Sequence, residues 1–170
     1  MSYRVIGAVL IVSGCGGFGI SMMLSEKHHE KLLECLLQAL QYMKWELQFR
    51  LSPLPQLLLG AGKQAGGETG VVLMEVSREL SGQLLPDAGS CVNKVLAAHQ
   101  ELPRDLRCLL RKLGTSLGTY DLPGQLEGLT AVETACSGCL EKLETDKALR
   151  FRNYRTLGFC AGAALVILFI

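Results

Sequence analysis

Apolar residues are distributed along this chain in two different ways. At the ends they run uninterrupted: Val5 to Leu24 carries no charge, and Leu157-Gly-Phe-Cys-Ala-Gly-Ala-Ala-Leu-Val-Ile-Leu-Phe-Ile170 is uncharged to its last residue. Between the ends they recur at spacings of three and four, the period of a helix with one buried face. The first run, about twenty residues, is long enough as a helix to cross a hydrocarbon core of roughly 30 Å. The second reaches roughly 21 Å at about 1.5 Å per residue. Every charged side chain except Arg4 lies between the two runs. The pattern predicts an N-terminal transmembrane segment over 1–24, a helical domain over 25–155 and a C-terminal hydrophobic membrane segment over 156–170, with both tethers leaving the domain from the same side.

Inside the domain, Leu33, Leu36, Leu40, Met43, Leu47 and Leu51 form one helical stripe, widened by Leu32 and Leu37. No Gly or Pro interrupts Ile20 to Leu51, so the same helix is expected to continue out of the membrane. Ser52-Pro53 ends it and opens a second helix, with Ser as cap and Pro at the first helical position, where it loses no intrahelical bond. That short helix closes at Gly66-Gly67. Val72, Val76 and Leu80 mark a third, broken near Gly82 and Pro86. Asp87 or Ser90 caps a fourth, with Val92, Val95, Leu96 and His99 on one side; Pro103 opens a fifth, carrying Leu106, Leu109, Leu110, Leu113 and Leu117. From Asp121, a cap, Leu126, Leu129, Cys136, Leu140, Leu143, Arg150, Tyr154 and Leu157 lead into the C-terminal apolar run, interrupted by Glu133 and Lys147. Alternation of period two is absent. The fold class is therefore all-α, a bundle of about six helices whose first and last members continue into membrane-anchoring segments. Ser13, Gly17 and Ser21, and Gly158-x-x-x-Gly162, are small residues at four-residue spacing that suit close pairing of two helices in lipid.

Charge sets the orientation. Lys147, Arg150, Arg152 and Arg155 precede the C-terminal run and nothing basic follows it, which places the domain in the cytoplasm. A competing reading starts from Arg4, a short apolar run and Val12-Ser13-Gly14-Cys15, which resemble a bacterial lipoprotein signal and would export the domain with Cys15 acylated. The apolar run continues past Cys15 where a polar tether belongs, and the basic cluster opposes export. A net charge of +1 without long like-charge blocks gives no footprint for nucleic acid. Seven cysteines scattered over apolar positions suit a reducing compartment.

Candidate chemistry is sparse. Cys136-Ser-Gly-Cys139 lies mid-helix in an all-α chain, whereas a redox pair belongs at a helix start after a strand; it reads as core packing. His28 and His29 point about 100° apart on a helix and do not converge on one metal ion, so they read as a solvated cluster, as does His99. Gly60-Ala-Gly62 and Gly66-Gly67-Glu-Thr-Gly70 lack the Gly-Lys-Ser/Thr ending of a phosphate loop and read as a helix connection. No enzyme, cofactor, metal or small-molecule substrate is indicated.

Four segments carry a resemblance: Gly7-Ala-Val-Leu-Ile11, Ser52-Pro-Leu-Pro55, Leu113-Gly-Thr-Ser-Leu-Gly118 followed by Asp121 and Gln125, and Tyr154-Arg-Thr-Leu-Gly158. In order and spacing they resemble the stage III sporulation protein AB family of endospore-forming bacteria across nearly the whole chain. The resemblance implies a non-catalytic scaffold in the mother-cell membrane facing the forespore, part of the channel complex that links the two cells. It implies a cytoplasmic domain similar to the helical domains of the type II secretion platform protein. Its partners would be the complex's other membrane proteins and its ATPase. The positions matching the family's motifs, and hence candidates for partner contact, are Pro53, Leu54, Pro55, Leu113, Gly114, Leu117, Gly118, Asp121 and Gln125. After Pro-Leu-Pro the family usually places Glu-Ala, where this chain has Gln56-Leu57. Helix punctuation and close helix approach explain the same residues without any partner.

Cytoplasmic placement predicts that an impermeant thiol reagent applied to intact cells or protoplasts leaves Cys91 and Cys108 unlabelled. Efficient labelling would reverse the orientation, and a Cys15-dependent signal from a fatty-acid probe would establish the lipoprotein.

Overall fold

The computed structural model describes the backbone of residues 2–82, 87–117 and 121–169, and side chains from 26 to 146 within those stretches. These residues form α1 (Ser2–Phe49), α2 (Leu54–Ala65), α3 (Gly67–Ser81), α4 (Ala88–Ala98), α5 (Arg104–Ser116) and α6 (Leu122–Phe169), with no strand among them. Each helix packs on its successor in the chain, and α6 returns to α1, so the six close a ring around one core. α3 also leans on α1.

Long-range contacts fix the directions. Lys44 on α1 bonds Glu133 on α6 at 2.7 Å, while the Cys136 thiol donates to the Leu33 carbonyl at 3.4 Å. α1 therefore rises where α6 descends. Thr69 at the start of α3 donates to the Leu32 carbonyl, and Ser77 near its end donates to the Pro55 carbonyl at the start of α2. His29 faces Asp105 at the start of α5. Helices successive in the chain, and α6 with α1, thus run antiparallel in an up-and-down bundle, while α3 runs parallel to α1. α1 enters and α6 leaves at the same end, here the proximal end, and the α1–α2 turn lies at the distal end.

The core follows the leucine stripes. Leu33, Leu36, Leu40, Met43, Leu57, Leu58, Leu73, Leu106, Leu110, Leu113 and Leu129 are essentially inaccessible. Both long helices run unbroken into the apolar ends, as the absence of breakers predicts for α1. Among the described residues no helix is long and apolar enough to cross a membrane. The tether segments 1–24 and 156–170, with Cys15, the Ser13/Gly17/Ser21 and Gly158/Gly162 sets and the basic Lys147, Arg150, Arg152 and Arg155, fall outside the described side chains; Gly118 lies outside the described residues altogether.

Caps and turns differ from expectation in places. Asp87 caps α4, accepting from the Ser90 amide at 3.1 Å, and the hydrogen bonds from Ser90 hold its carboxyl below the usual range. Asp121 accepts from the Gly124 amide at 3.2 Å and caps α6. Ser52 does not cap α2: Pro53 occupies that position without a side-chain bond, and the Ser52 hydroxyl turns to Glu46 instead. Leu51 is no part of the buried stripe, because α1 ends at Phe49 and Leu51 adopts a left-handed φ of 53° with 66% of its surface exposed. Only Gly66 lies between α2 and α3; it and Gly67, the first residue of α3, both have positive φ, where glycine is favoured. Gly60, Gly62 and Gly70 sit inside helices, and a Cβ on Gly62 would meet the Gly70 carbonyl oxygen at 2.7 Å.

Nor is His99 a solvated side chain. It ends α4, with Nε2 at 2.8 Å from Glu75 and Nδ1 at 3.0 Å from Glu101, and is 24% exposed. The hydrogen bond to Glu75 first, and then that to Glu101, raises its pKa above the ordinary histidine value. The imidazolium also suits the negative end of the α4 dipole. A raised folded-state pKa stabilises the protein fully below the unfolded-state value of about 6.5, and that contribution is lost as pH rises through the folded-state pKa. His99→Gln is expected to flatten the fall in melting temperature across that interval. An unchanged pH profile of the melt would show that the two carboxylates do not act on His99.

Candidate functional site at the distal end

The turn after α1 collects features that a stability-optimised bundle would avoid. Trp45, Phe49 and Leu51 are 49%, 68% and 66% exposed, and Leu122, at the first turn of α6, is also exposed. The Trp45 and Phe49 ring centroids lie 5.8 Å apart with the planes tilted by 43°, and the Arg50 guanidinium carbon lies 5.6 Å from the Trp45 ring centroid. Beside them a pocket of about 250 Å³ is lined by Leu47, Leu51, Ser52, Leu54, Leu122 and Gln125. A left-handed conformation costs a residue with a side chain about 1–2 kcal/mol. At Leu51 that strain presents an apolar side chain to solvent.

Bonded to Ser52 is Glu46, only 5% exposed. Its Oε1 accepts from the Ser52 hydroxyl at 2.7 Å and lies 3.8 Å from Arg50 Nη1, but its buried Oε2 has no hydrogen-bond partner. The residue occupies the last turn of α1, where the helix dipole disfavours a carboxylate. The Glu46 carbonyl is occupied twice, by the amides of Arg50 and Leu51.

The motif positions divide between this end and the interior. Leu54 is half-buried, packs against the core and lines the pocket with Gln125, while Pro53 is exposed and Pro55 half-buried. Gln56 is exposed and Leu57 wholly buried. Leu113 and Leu117 are core residues. At Gly114 an added Cβ would lie 2.8 Å from Val92 Cγ2, and at Gly128 2.6 Å from Ser116 Cβ. The Leu-Gly-Thr-Ser segment thus permits close approach of α5 to α4 through Gly114 and of α5 to α6 through Ser116. Trp45, Glu46 and Phe49 carried no motif. Their available signals were a lone tryptophan off the leucine stripe and an acid three residues beyond Met43, inside it.

Cys136 is fully buried, and burial pushes its thiol up to about 11. A thiol so held is poor in thiolate and behaves as packing. Cys139 is half-buried, Cys91 is buried and Cys108 exposed, so Cys108 is the informative position for accessibility labelling. His28 faces Glu68 at 3.5 Å and His29 faces Asp105 at 3.9 Å, each turned to a different helix.

The fold and this end define a helical bundle that offers an apolar surface at a set distance from where its termini emerge. The sequence model of stage III sporulation protein AB (spore_III_AB) matches residues 4–170, and the chain belongs to that family. It is similar to a solved structure titled "Stage III sporulation protein AB (SpoIIIAB)", with a TM-score of 0.61 and 18% identity over 69% of this chain and 94% of that one. At that identity the likeness shows a common fold. No curated protein matches the chain.

Close packing at Gly114 predicts that Gly114→Leu costs about 1–3 kcal/mol through overpacking against Val92. A Cβ on Gly138 meets nothing within 4 Å, so Gly138→Ala is expected to gain about 0.5–1 kcal/mol of helix stability. Denaturant melts of the two variants check both signs.

Proposed function

We propose that the chain is a non-catalytic, membrane-anchored assembly component of the channel complex between mother cell and forespore. It sits in the mother-cell side membrane with its domain in the cytoplasm, and its distal end docks the complex's other proteins, its ATPase or membrane subunits. The resemblance to the type II secretion platform domain agrees with such a part. The observation that carries the reading is Leu51, strained and exposed at the tip of a helix held rigidly in the bundle. From Glu26 to Phe49 α1 rises about 35 Å, which sets the tip well clear of the proximal end. Apolar surface displayed there has no use within the domain, and strained residues gather where a partner or ligand is engaged.

Leu54 mixes core packing with exposure, so Leu51 gives the cleaner test. Leu51→Gly relieves the backbone and removes the apolar side chain. It is expected to melt at or above the wild-type temperature while complex recovery and spore yield fall. Leu40→Glu buries an unpaired charge in the core and is expected to unfold the domain. Normal spore yield with Leu51→Gly would remove the distal end from assembly.

A further inference from the structure

The carboxylates of α3 are each met by a neighbouring helix, whereas the cations of α5 are not. Glu68 faces His28, Glu75 bonds His99 and Glu79 bonds Lys94. Arg104, Arg107, Arg111 and Lys112 form no salt bridge with any described carboxylate. Asp105, the acid among them, faces His29. Glu101, in the preceding turn, bonds His99; the Arg107 charge reaches it electrostatically but forms no salt bridge with it. The three arginines fall at i, i+3 and i+7, which sets them in one row about 10 Å long. Two of them are held in place. Arg111 Nε donates to Asn93 Oδ1 on α4 at 3.0 Å, which leaves its Nη groups unbonded, and Arg107 is half-buried with its Nε enclosed. Antiparallel packing sets Ala97, one turn beyond Asn93, level with Arg107; both α4 residues are exposed, so the row is bordered there by an amide and a methyl group. Because α5 starts at the proximal end, the row stands along the flank of the bundle, and a membrane below would meet only its Arg104 end.

We propose that this flank binds an acidic helix of a partner protein, whose carboxylates pair with Arg104, Arg107 and Arg111 while its backbone lies over Ala97. A helix with carboxylates at i, i+3 or i+4, and i+7 repeats the spacing of the row. Each guanidinium offers a planar fork of donors to a carboxylate, and several such pairs in register give specificity that one exposed pair does not. Lys112 adds positive field beside the row. The flank is separate from the distal end, so the inference does not depend on the reading of that end as a docking face.

The test uses the full chain in dodecyl maltoside micelles and a rhodamine-labelled, alanine-based helical peptide with three glutamates at i, i+3 and i+7. One comparison peptide has glutamine in their place, and another has the same three glutamates spread around the helix. Anisotropy reads affinity. Alkylation of Cys108, exposed on α5 between Arg104 and Arg111, reads location when followed by mass spectrometry. At low salt the first peptide is expected to bind at least about tenfold tighter than either comparison and to slow Cys108 alkylation. The gap is expected to narrow as salt screens the exposed charges. Arg104→Gln combined with Arg111→Gln is expected to melt like the wild type and to bind all three peptides alike. Lys63→Gln combined with Lys142→Gln removes the same charge from exposed positions on other helices and is expected to keep the preference. Equal affinity for the glutamate and glutamine peptides, or a preference that survives loss of the two arginines, overturns the proposal. Equal binding of the spread glutamates reduces the row to net charge and overturns it also. A preference abolished by phosphatidylglycerol in the micelles would assign the arginines to lipid headgroups and overturn the protein partner.

Discussion

Everything else in the structure depends on the antiparallel seam between α1 and α6. These two helices are the longest, and they pack directly on each other, with Leu33, Leu36, Leu40 and Met43 on one and Leu129, Val132 and Cys136 on the other wholly or nearly buried. The Lys44–Glu133 bond, partly shielded from water, fixes their register. The Cys136 thiol on the Leu33 carbonyl adds a second contact, eleven residues earlier on α1 and three later on α6. Because the seam runs from the proximal end to the distal pocket, it converts the position of two chain ends into the position of one surface. A bundle with a soft seam would present the same residues without a defined height.

The four shorter helices complete the core by approaching one another closely. α2 and α3 meet backbone to backbone at Gly62 and Gly70, α4 and α5 at Gly89, Val92 and Gly114, and α5 and α6 at Ser116 and Gly128. Dispersion favours such contact because each lost methyl lets more atoms reach their optimal separation. Thr69 and Ser77 reach carbonyls of neighbouring helices, whereas His29 Nε2, Arg107 Nε and Glu46 Oε2 are buried without a hydrogen-bond partner. At the distal turn an unpartnered Glu46 oxygen, an exposed aromatic pair and a left-handed leucine fall within seven residues. Natural sequences satisfy local rules except where function opposes them, and stability lost at such a point is offset by the rest of the fold.

The motif residues gain distinct physical roles from this arrangement. Pro53 starts α2, Asp121 starts α6, and Gly114 lets two helices touch. Their family pattern is in large part the pattern of a bundle that keeps its turns in place. Leu54 and Gln125 differ, since they also line the pocket. The proposed docking face and the helix punctuation are therefore neighbours in space, and the turn residues set the orientation of the residues that face outward.

By itself the sequence determined the all-α class, the number of helices, most of their ends and the greater part of the core. These follow from local physics: three-four spacing specifies a buried face, and Pro, Gly and Asp specify where a helix starts or stops. It also settled that Cys136 packs, since a cysteine on an apolar stripe has no route to becoming a thiolate. Only the tertiary structure decided what the polar interruptions are for. Glu133 on the α6 stripe reads as a flaw until Lys44 is brought beside it from 89 residues away, and His99 reads as solvated until Glu75 arrives from the neighbouring helix. Periodicity extends the α1 stripe through Leu51 because it cannot register a backbone that turns left-handed two residues after the helix ends. The pocket exists only where the end of α1 meets the start of α6, and no local pattern encodes the meeting of Leu47 and Leu54 with Leu122 and Gln125.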